Sequence, residues 1–392
     1  MHIRQSAVLL SLAGFIALAV AMGIGRFAFT PLLPMMQNDS GIDLAQGGWL
    51  ASANYLGYLV GALMAASVRW PPAIQLRAGL FVVVGATALM GLTSAWTGWL
   101  ALRFIAGVAS AWVLVSTSSI CLTRLAAMGQ SHRVGLVYAG VGCGIALTGV
   151  LCLLMGLAQV ASWHAWILLG AVALAGTWAA RRLWTQPSPT PAPNPAASTQ
   201  PPTTAAPTTM KTAAAIKGYW TLILCYGLFG FGYILPATFL PAQARLLVAD
   251  PALFGLAWPL FGLAAALSTL FIGRLAGVFQ RRTLWAVSQL VMATGVFLPV
   301  VWPSLAAIVI AALCVGGTFM VVTMLGMQEA QAIGGTRTRE LMAKLTAAFA
   351  AGQLAGPIFF SFSHAYFGAD LGFALLMATA GLATSSFLLF KS

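Results

Sequence analysis

The stretch GIGRFAFTPLLPMM (residues 23–36) places one arginine, Arg26, in a run with no other charge between residues 6 and 36. A helix needs about 20 apolar residues to cross the roughly 30 Å core of a bilayer, so this run is long enough to span a membrane. A charge at that depth costs several kcal/mol and must face a cavity or a partner. The stretch therefore predicts a spanning helix whose arginine points away from lipid.

The rest of the chain continues this pattern. Of its 392 residues, 60% are hydrophobic and 6% charged, whereas about 25% are charged in typical soluble proteins. Lipid offers no partners to an unpaired backbone, so helices are expected rather than open strands. The start of the first run resembles a signal peptide, but its apolar stretch continues well past Ala21 and is taken as a span. Twelve spans are predicted, at residues 7–36, 46–68, 75–95, 98–122, 134–158, 161–180, 217–240, 252–273, 284–302, 304–327, 342–363 and 369–390.

The net charge of +13 follows from membrane topology rather than from nucleic-acid binding. Of the 19 Lys and Arg residues, only Arg245 falls on the outer side when the amino terminus is cytoplasmic, while Arg26 and Arg103 lie within helices. This is the bias of positive charge towards the cytoplasm. It predicts that both termini are cytoplasmic.

A Pro-, Thr- and Ala-rich segment divides the chain. TQPSPTPAPNPAASTQPPTTAAPTT (residues 185–209) has no residues to build a core and is expected to be disordered. We therefore predict six helices in residues 1–184, a cytoplasmic linker at 185–214, and six helices in residues 215–392.

The two halves resemble each other in sequence. GIGRFAFTPLLP (23–34) aligns with GFGYILPATFLP (230–241), and glycines further along also pair. An even number of helices per half gives both halves the same orientation, as in the parallel repeats of secondary transporters, where substrate binds between the halves near the midplane. The predicted fold is all-α, with two six-helix bundles related by a pseudo-two-fold axis along the membrane normal. The paired glycines are Gly61 with Gly273, Gly140 with Gly352, and Gly144 with Gly356.

Arg26 is the principal candidate for a substrate-binding residue. The repeat pairs it with Tyr233, and a cation facing a tyrosine suits an anionic or aromatic carboxylate. The alternative is that Arg26 ties its helix to backbone carbonyls. The Gly23-x-Gly25 sequence before it allows a close helix contact or a bend.

Other polar residues within spans are candidates for the same site. Arg103 either snorkels towards the outer interface or faces a cavity. Asn54 and Tyr58 share a helix face and either bind substrate or link helices by hydrogen bonds. Tyr226 and Gln353 complete the predicted set. No Asp or Glu lies near the middle of any span, which favours facilitated exchange, substrate-borne protons or a relay at a helix end.

Several motifs resemble the major facilitator superfamily (MFS). GRLAGVFQRR (273–282) is similar to its cytoplasmic loop motif, GALMAASVRW (61–70) is a degenerate copy, and both lack the motif's aspartate. RFIAG (103–107), GVGCGIALTG (140–149) and GQLAGP (352–357) are similar to helix motifs of drug–proton antiporters in the superfamily. MGIGRFAFTPLLPMM, SANYLGYLVGAL and YAGVGCGIALTG together resemble the YbfB-like branch. The residues that these motifs and the repeat assign to conformational gating are Gly61, Arg69, Gly140, Gly144, Gly273, Arg281, Arg282, Gly352, Gly356 and Pro357.

The resemblance implies a transporter of the cytoplasmic (inner) membrane with the MFS fold. We expect a monomer in the bilayer that binds a small organic solute and no nucleic acid, cofactor or metal. No catalytic motif is present, so an enzyme is not expected. The alternatives are an exporter of drugs or metabolites with the same fold, and a receptor or scaffold that does not transport.

Overall fold

The computed structural model describes residues 2–68, 70–185, 208–247, 251–368 and 370–391, and all regular elements within these ranges are helices. The α-helices in chain order are α1 (His2–Leu18), α2 (Phe29–Ser40), α3 (Leu44–Ser67), α4 (Pro72–Met90), α5 (Trp96–Ala127), α6 (Val134–Leu157), α7 (Ser162–Ala179), α8 (Arg182–Thr185), α9 (Thr208–Leu247), α10 (Pro251–Leu275), α11 (Arg281–Val301), α12 (Leu305–Gly334), α13 (Thr338–Phe367) and α14 (Leu371–Lys391). A π-helical segment, Ala19–Phe27, precedes α2, and 3₁₀ turns at Ser131–Arg133 and Gly335–Arg337 precede α6 and α13.

Eleven helical stretches within the described ranges are long and apolar enough to cross a membrane. The first, Arg4–Ser40, contains α1, the π-helical segment and α2, and is called the first span below. The tenth, Leu305–Phe367, contains both α12 and α13. The predicted all-helical character is confirmed. The count is eleven instead of twelve because a 3₁₀ turn joins α12 to α13 without an extended loop.

The structure differs from the sequence prediction at the end of the linker. Helix α9 begins at Thr208, so residues 208–214 are helical, although the linker was predicted to reach 214. Pro207 is the last proline of this segment, and the alanines that follow it favour helix. Residues 186–207 of the linker and the predicted gating residue Arg69 lie outside the described residues.

The boundaries of α3 illustrate how local sequence sets the helix ends. Asp43 caps its first turn, because the backbone N–H of Gln46 donates to Asp43 Oδ1 at 2.7 Å. The Gln46 side chain in turn accepts from the backbone N–H of Asp43 at 3.0 Å, which completes a capping box.

The most extensive contacts between the N-terminal half (residues 2–185) and the C-terminal half (residues 208–391) are those of α6 with α10 and of α3 with α13. Glycines bring α6 and α10 close along their length. A Cβ on Gly142 would lie 2.5 Å from the carbonyl oxygen of Gly262, and one on Gly273 would lie 2.7 Å from the Cα of Gly135. Since real Cβ atoms do not approach so closely, this interface depends on residues without side chains.

Glycines of the predicted repeat also lie at helix contacts within each half. Gly140 of α6 faces the carbonyl oxygen of Phe15 in α1, and its counterpart Gly352 of α13 faces that of Gly227 in α9. In both halves the matched glycine therefore brings an inner helix against the half's first helix.

Candidate functional site

The first span changes from α- to π-helix over Ala19–Phe27, the segment that contains Arg26. Single-turn π-bulges are the usual form and often mark functional sites, so a segment of this length is notable. Gly23 and Gly25 allow the close helix contact predicted from the sequence. A Cβ on Gly23 would lie 2.5 Å from the Cα of Gly144, and one on Gly25 would lie 2.7 Å from a methyl carbon of Val83.

Side chains of α5 satisfy carbonyl groups of the π-helical segment. Arg103 donates from Nη1 to the carbonyl oxygen of Gly25 at 3.2 Å and from Nη2 to that of Arg26 at 3.3 Å. Ser110 Oγ lies 2.8 Å from the carbonyl oxygen of Ala21. Arg103 is 3% exposed, so its side chain does not reach the surface. The tie to backbone carbonyls that was considered for Arg26 is made by Arg103.

Arg26 itself extends from the first span to the C-terminal half. It is 3% exposed, and its Nη2 donates to Oε1 of Gln353 in α13, which is 1% exposed. Its guanidinium carbon lies 3.9 Å from the ring centroid of Tyr58 in α3, a cation–π contact. The Nε and Nη1 atoms of Arg26 have no hydrogen-bond partner among the described residues. Three predicted site residues, Arg26, Tyr58 and Gln353, are therefore in direct contact.

Aromatic rings of both halves surround this contact. The guanidinium carbon of Arg26 lies 5.6 Å from the ring centroid of Phe27 and 5.8 Å from that of Phe349. Phe349 is in turn 5.8 Å from Tyr226 and 6.0 Å from Tyr233, measured between ring centroids. Phe349 therefore lies between Arg26 and the two tyrosines, Tyr226 and Tyr233. The direct contact of Arg26 with the C-terminal half is thus made by Gln353, and Tyr233, its match in the repeat, lies behind Phe349.

A small cavity lies beside the Arg26 contact, between the two halves. Its volume is about 10 Å³, roughly enough for one water molecule. Met22, Phe27, Tyr58 and Leu114 line it from the N-terminal half, and Tyr226, Phe319 and Phe349 are among its lining residues from the C-terminal half. In this conformation the cavity is therefore too small for an organic solute. A larger, open pocket of about 550 Å³ lies where α13 meets α14 and is lined by none of the predicted site residues.

Asn54 lies on the helix contact between α3 and α5. Its Nδ2 donates to the carbonyl oxygen of Arg103 at 3.0 Å, and its side chain is fully buried. This is the interhelical hydrogen bond that was one of the two interpretations of the residue. Gly61, one turn beyond Tyr58 on the same helix, packs against the carbonyl group of Val108.

The predicted gating arginines of the GRLAGVFQRR loop form ion pairs within the C-terminal half. Arg281 Nε lies 3.3 Å and Arg282 Nε 2.7 Å from the carboxylate oxygens of Glu329 in α12, whose side chain is 8% exposed. Gly356 packs against Ile234, and Pro357 lies inside α13.

Arg339 is a cross-half contact that the sequence analysis missed. From the first turn of α13 it donates from Nη1 to the carbonyl oxygen of Trp70, and from Nη2 to that of Val68 at 2.9 Å and to Gln75 Oε1 at 3.2 Å. These acceptors follow the end of α3 or begin α4. A cation in the first turn of a helix opposes the helix dipole. An arginine at this unfavourable position is the sequence signal that could have indicated acceptors for Arg339 outside α13.

Long apolar helices and a buried, polar contact between two halves define a multi-pass α-helical membrane protein with a central site. Residues 18–390 match the family described as "Uncharacterised MFS-type transporter YbfB". The chain belongs to this family of MFS transporters, which confirms the resemblance and makes it a transporter rather than an enzyme.

One curated relative carries a similar description. A 101-residue stretch is 30% identical to the "Uncharacterized MFS-type transporter YceJ" of Bacillus subtilis (strain 168). The match spans 25% of this chain and 26% of that protein, about a quarter of each.

Proposed function

We propose that the chain is a secondary transporter that moves a small organic solute by alternating access. Twelve crossings in two six-helix bundles, related by a pseudo-two-fold axis along the membrane normal, form its framework. The length of Leu305–Phe367 supports this count: its 63 residues would extend about 95 Å as one helix, about three times the bilayer core. Two crossings that meet at the Gly335–Arg337 turn account for the length.

The orientation and the domain boundaries belong to the same proposal. Both termini and the linker face the cytoplasm. The protein lies in the inner membrane as a monomer. The distribution of Lys and Arg supports this orientation. The bundles occupy residues 1–184 and 215–392, and the close glycine contacts between α6 and α10 supply a surface about which they can rock.

The solute that we propose is an anionic or aromatic carboxylate bound at Arg26. The carrying observation is a buried guanidinium, between the two halves, with Nε and Nη1 unpartnered within the described residues. Leaving a buried charged donor unpaired is costly, so an incoming anion stabilises the site. The aromatic walls favour a second candidate, an exporter of apolar aromatic compounds with the same fold.

The experiment is flux in proteoliposomes with a panel of carboxylates and uncharged aromatic compounds. Arg26→Ala should lower the apparent affinity for a transported carboxylate about tenfold to a hundredfold, because a charge-assisted hydrogen bond contributes about 1.5–3 kcal/mol. Arg26→Lys keeps the charge, loses the planar fork and should fall between. Arg77→Ala, which removes an exposed arginine, is the control.

Two results would contradict the proposal at different levels. Unchanged carboxylate affinity in a folded Arg26→Ala protein would remove Arg26 from the binding site. If the folded wild-type protein transported no compound of a broad panel, the transport proposal itself would fail.

A further inference from the structure

We infer that the solute is a monocarboxylate with an uncharged, flat, apolar body, and that its carboxylate displaces Gln353 Oε1 from Arg26. The inference rests on the transport function proposed above and narrows the substrate class of the same site. It makes Gln353, on the opposite half from Arg26, a residue that determines specificity.

The first argument is the surplus of donors. A guanidinium carries five N–H groups, and Nη2 of Arg26 donates to Gln353 Oε1. Arg26 Nε, Arg26 Nη1 and Gln353 Nε2 are buried and unpartnered among the described residues. All three are donors. The group that matches them is planar, rich in acceptors and without donors, which describes a carboxylate.

The second argument is the charge count. Glu329 is the only buried acid in the described part of the chain, and it is paired with Arg281 and Arg282. Arg103 keeps its charge, but its Nη1 and Nη2 atoms are already hydrogen-bonded to backbone carbonyl oxygens of the first span. One negative charge on the solute therefore balances Arg26. A second would be buried without a partner, which costs several kcal/mol.

The third argument is the nature of the walls. Thr323 and Thr346 line the cavity, but their hydroxyls donate to carbonyl oxygens of their own helices at 2.9 and 2.8 Å. The remaining lining is largely aromatic and aliphatic. An ammonium group on the solute would meet Arg26 and no described carboxylate, so amino acids are disfavoured. An aromatic body can stack on rings such as Phe349 or Phe319 when the cavity opens.

The solute carboxylate and Gln353 Oε1 compete for Arg26, and this competition couples solute binding to the contact between the two halves. Gln353 Oε1 holds Arg26 in this conformation. A carboxylate is the stronger acceptor because it is ionised. When it takes the guanidinium, the amide N–H groups of Gln353 become donors to the same carboxylate. The solute then replaces a direct contact between the halves with a bridged one.

The test compares four probes of similar shape on the purified full-length protein in nanodiscs: benzoate, benzamide, isophthalate and benzylamine. Thermal stability and displacement of radiolabelled benzoate are measured for each. Benzoate should raise the unfolding temperature, and the other three should bind at least tenfold more weakly. Equal or tighter binding of isophthalate, benzamide or benzylamine overturns the inference. So does the lack of any response to benzoate by the folded protein.

Gln353→Glu provides the second measurement. The new carboxylate would occupy Arg26 permanently, so benzoate affinity should fall at least tenfold while the ligand-free protein becomes more heat-stable. Gln5→Glu adds the same charge at an exposed site and should change neither property. Unchanged benzoate affinity in Gln353→Glu overturns the displacement step. Flux of some other solute in the broad panel would leave the transport function standing while this inference fails, and absence of all flux would remove both.

Discussion

Replacing Arg339 with Gln should open the end of the molecule where α13 meets the chain between α3 and α4. Arg339 donates from α13 to the carbonyl oxygens of Trp70 and Val68 and to the side chain of Gln75. All three acceptors belong to the N-terminal half, so the contacts break whenever the halves separate at this end. Their loss should shift the population from the closed conformation towards the open one.

The geometry sets the expected size of the shift. A hydrogen bond to a charged group contributes about 1.5–3 kcal/mol when buried, but Arg339 is half-buried and solvent weakens its contacts. We therefore take about 2 kcal/mol for the whole set, and nothing for the 3.5 Å approach to the carbonyl oxygen of Ala65. At 1.36 kcal/mol per tenfold change, the closed conformation should lose about thirtyfold in relative population.

Spin labels at the exposed positions Ser131 and Thr336, one on each half, report this opening as a distribution of distances. The Arg339→Gln protein should gain a longer-distance population that wild type lacks. Arg337→Gln removes an exposed arginine from the adjacent 3₁₀ turn and serves as the control. If both variants kept the wild-type distribution, the reasoning that Arg339 holds the halves together would be refuted.

Three further predictions concern the framework. Gly142→Ala should destabilise the closed conformation by about 1–3 kcal/mol, because the new Cβ meets the α10 backbone. Gly85→Ala, which meets open space, should be neutral or stabilising; thermal unfolding checks both, and equal melting temperatures would contradict the glycine-dependent contact. Glu329→Gln should cost about 1–2 kcal/mol by removing the negative charge shared by two arginines, measured by thermal unfolding in nanodiscs. Reporters fused at Thr190 and after Lys391 should both be cytoplasmic, and an external signal at Thr190 would overturn the proposed topology.

The helical spans and the residues that meet at Arg26 could be predicted from the sequence, because both depend on how apolar and polar groups are solvated. Apolar runs must face lipid, and a charge among them must find a partner, so Arg26 is recognisable from the sequence as a candidate site residue. Tyr58 and Gln353 were named for the same reason, as polar groups in apolar helices. Their contact with Arg26 confirms that these side chains converge, while their role in binding stays a prediction.

The geometry was less accessible because it depends on contacts between distant segments. The repeat paired Arg26 with Tyr233, but a long arginine side chain reaches sideways to α13, and the tyrosine instead stacks on Phe319 with ring centroids 5.3 Å apart. The π-helical segment also escaped prediction, since its carbonyls are held by Arg103 from another helix. Helix propensity contains no term for such tertiary contacts.

The contact between Arg26 and Gln353 has a consequence for the biogenesis of the protein. The two residues are 327 positions apart in the chain. At about 5–20 residues per second, a ribosome takes roughly 15 to 65 s to make the intervening polypeptide. During that interval the first helix has left the ribosome with its arginine, while Gln353, the final acceptor, has not yet been synthesised. The rings of Phe27, Tyr55 and Tyr58, which lie around the guanidinium in the finished protein, are all synthesised within seconds of Arg26, so its aromatic partners precede its hydrogen-bond acceptor.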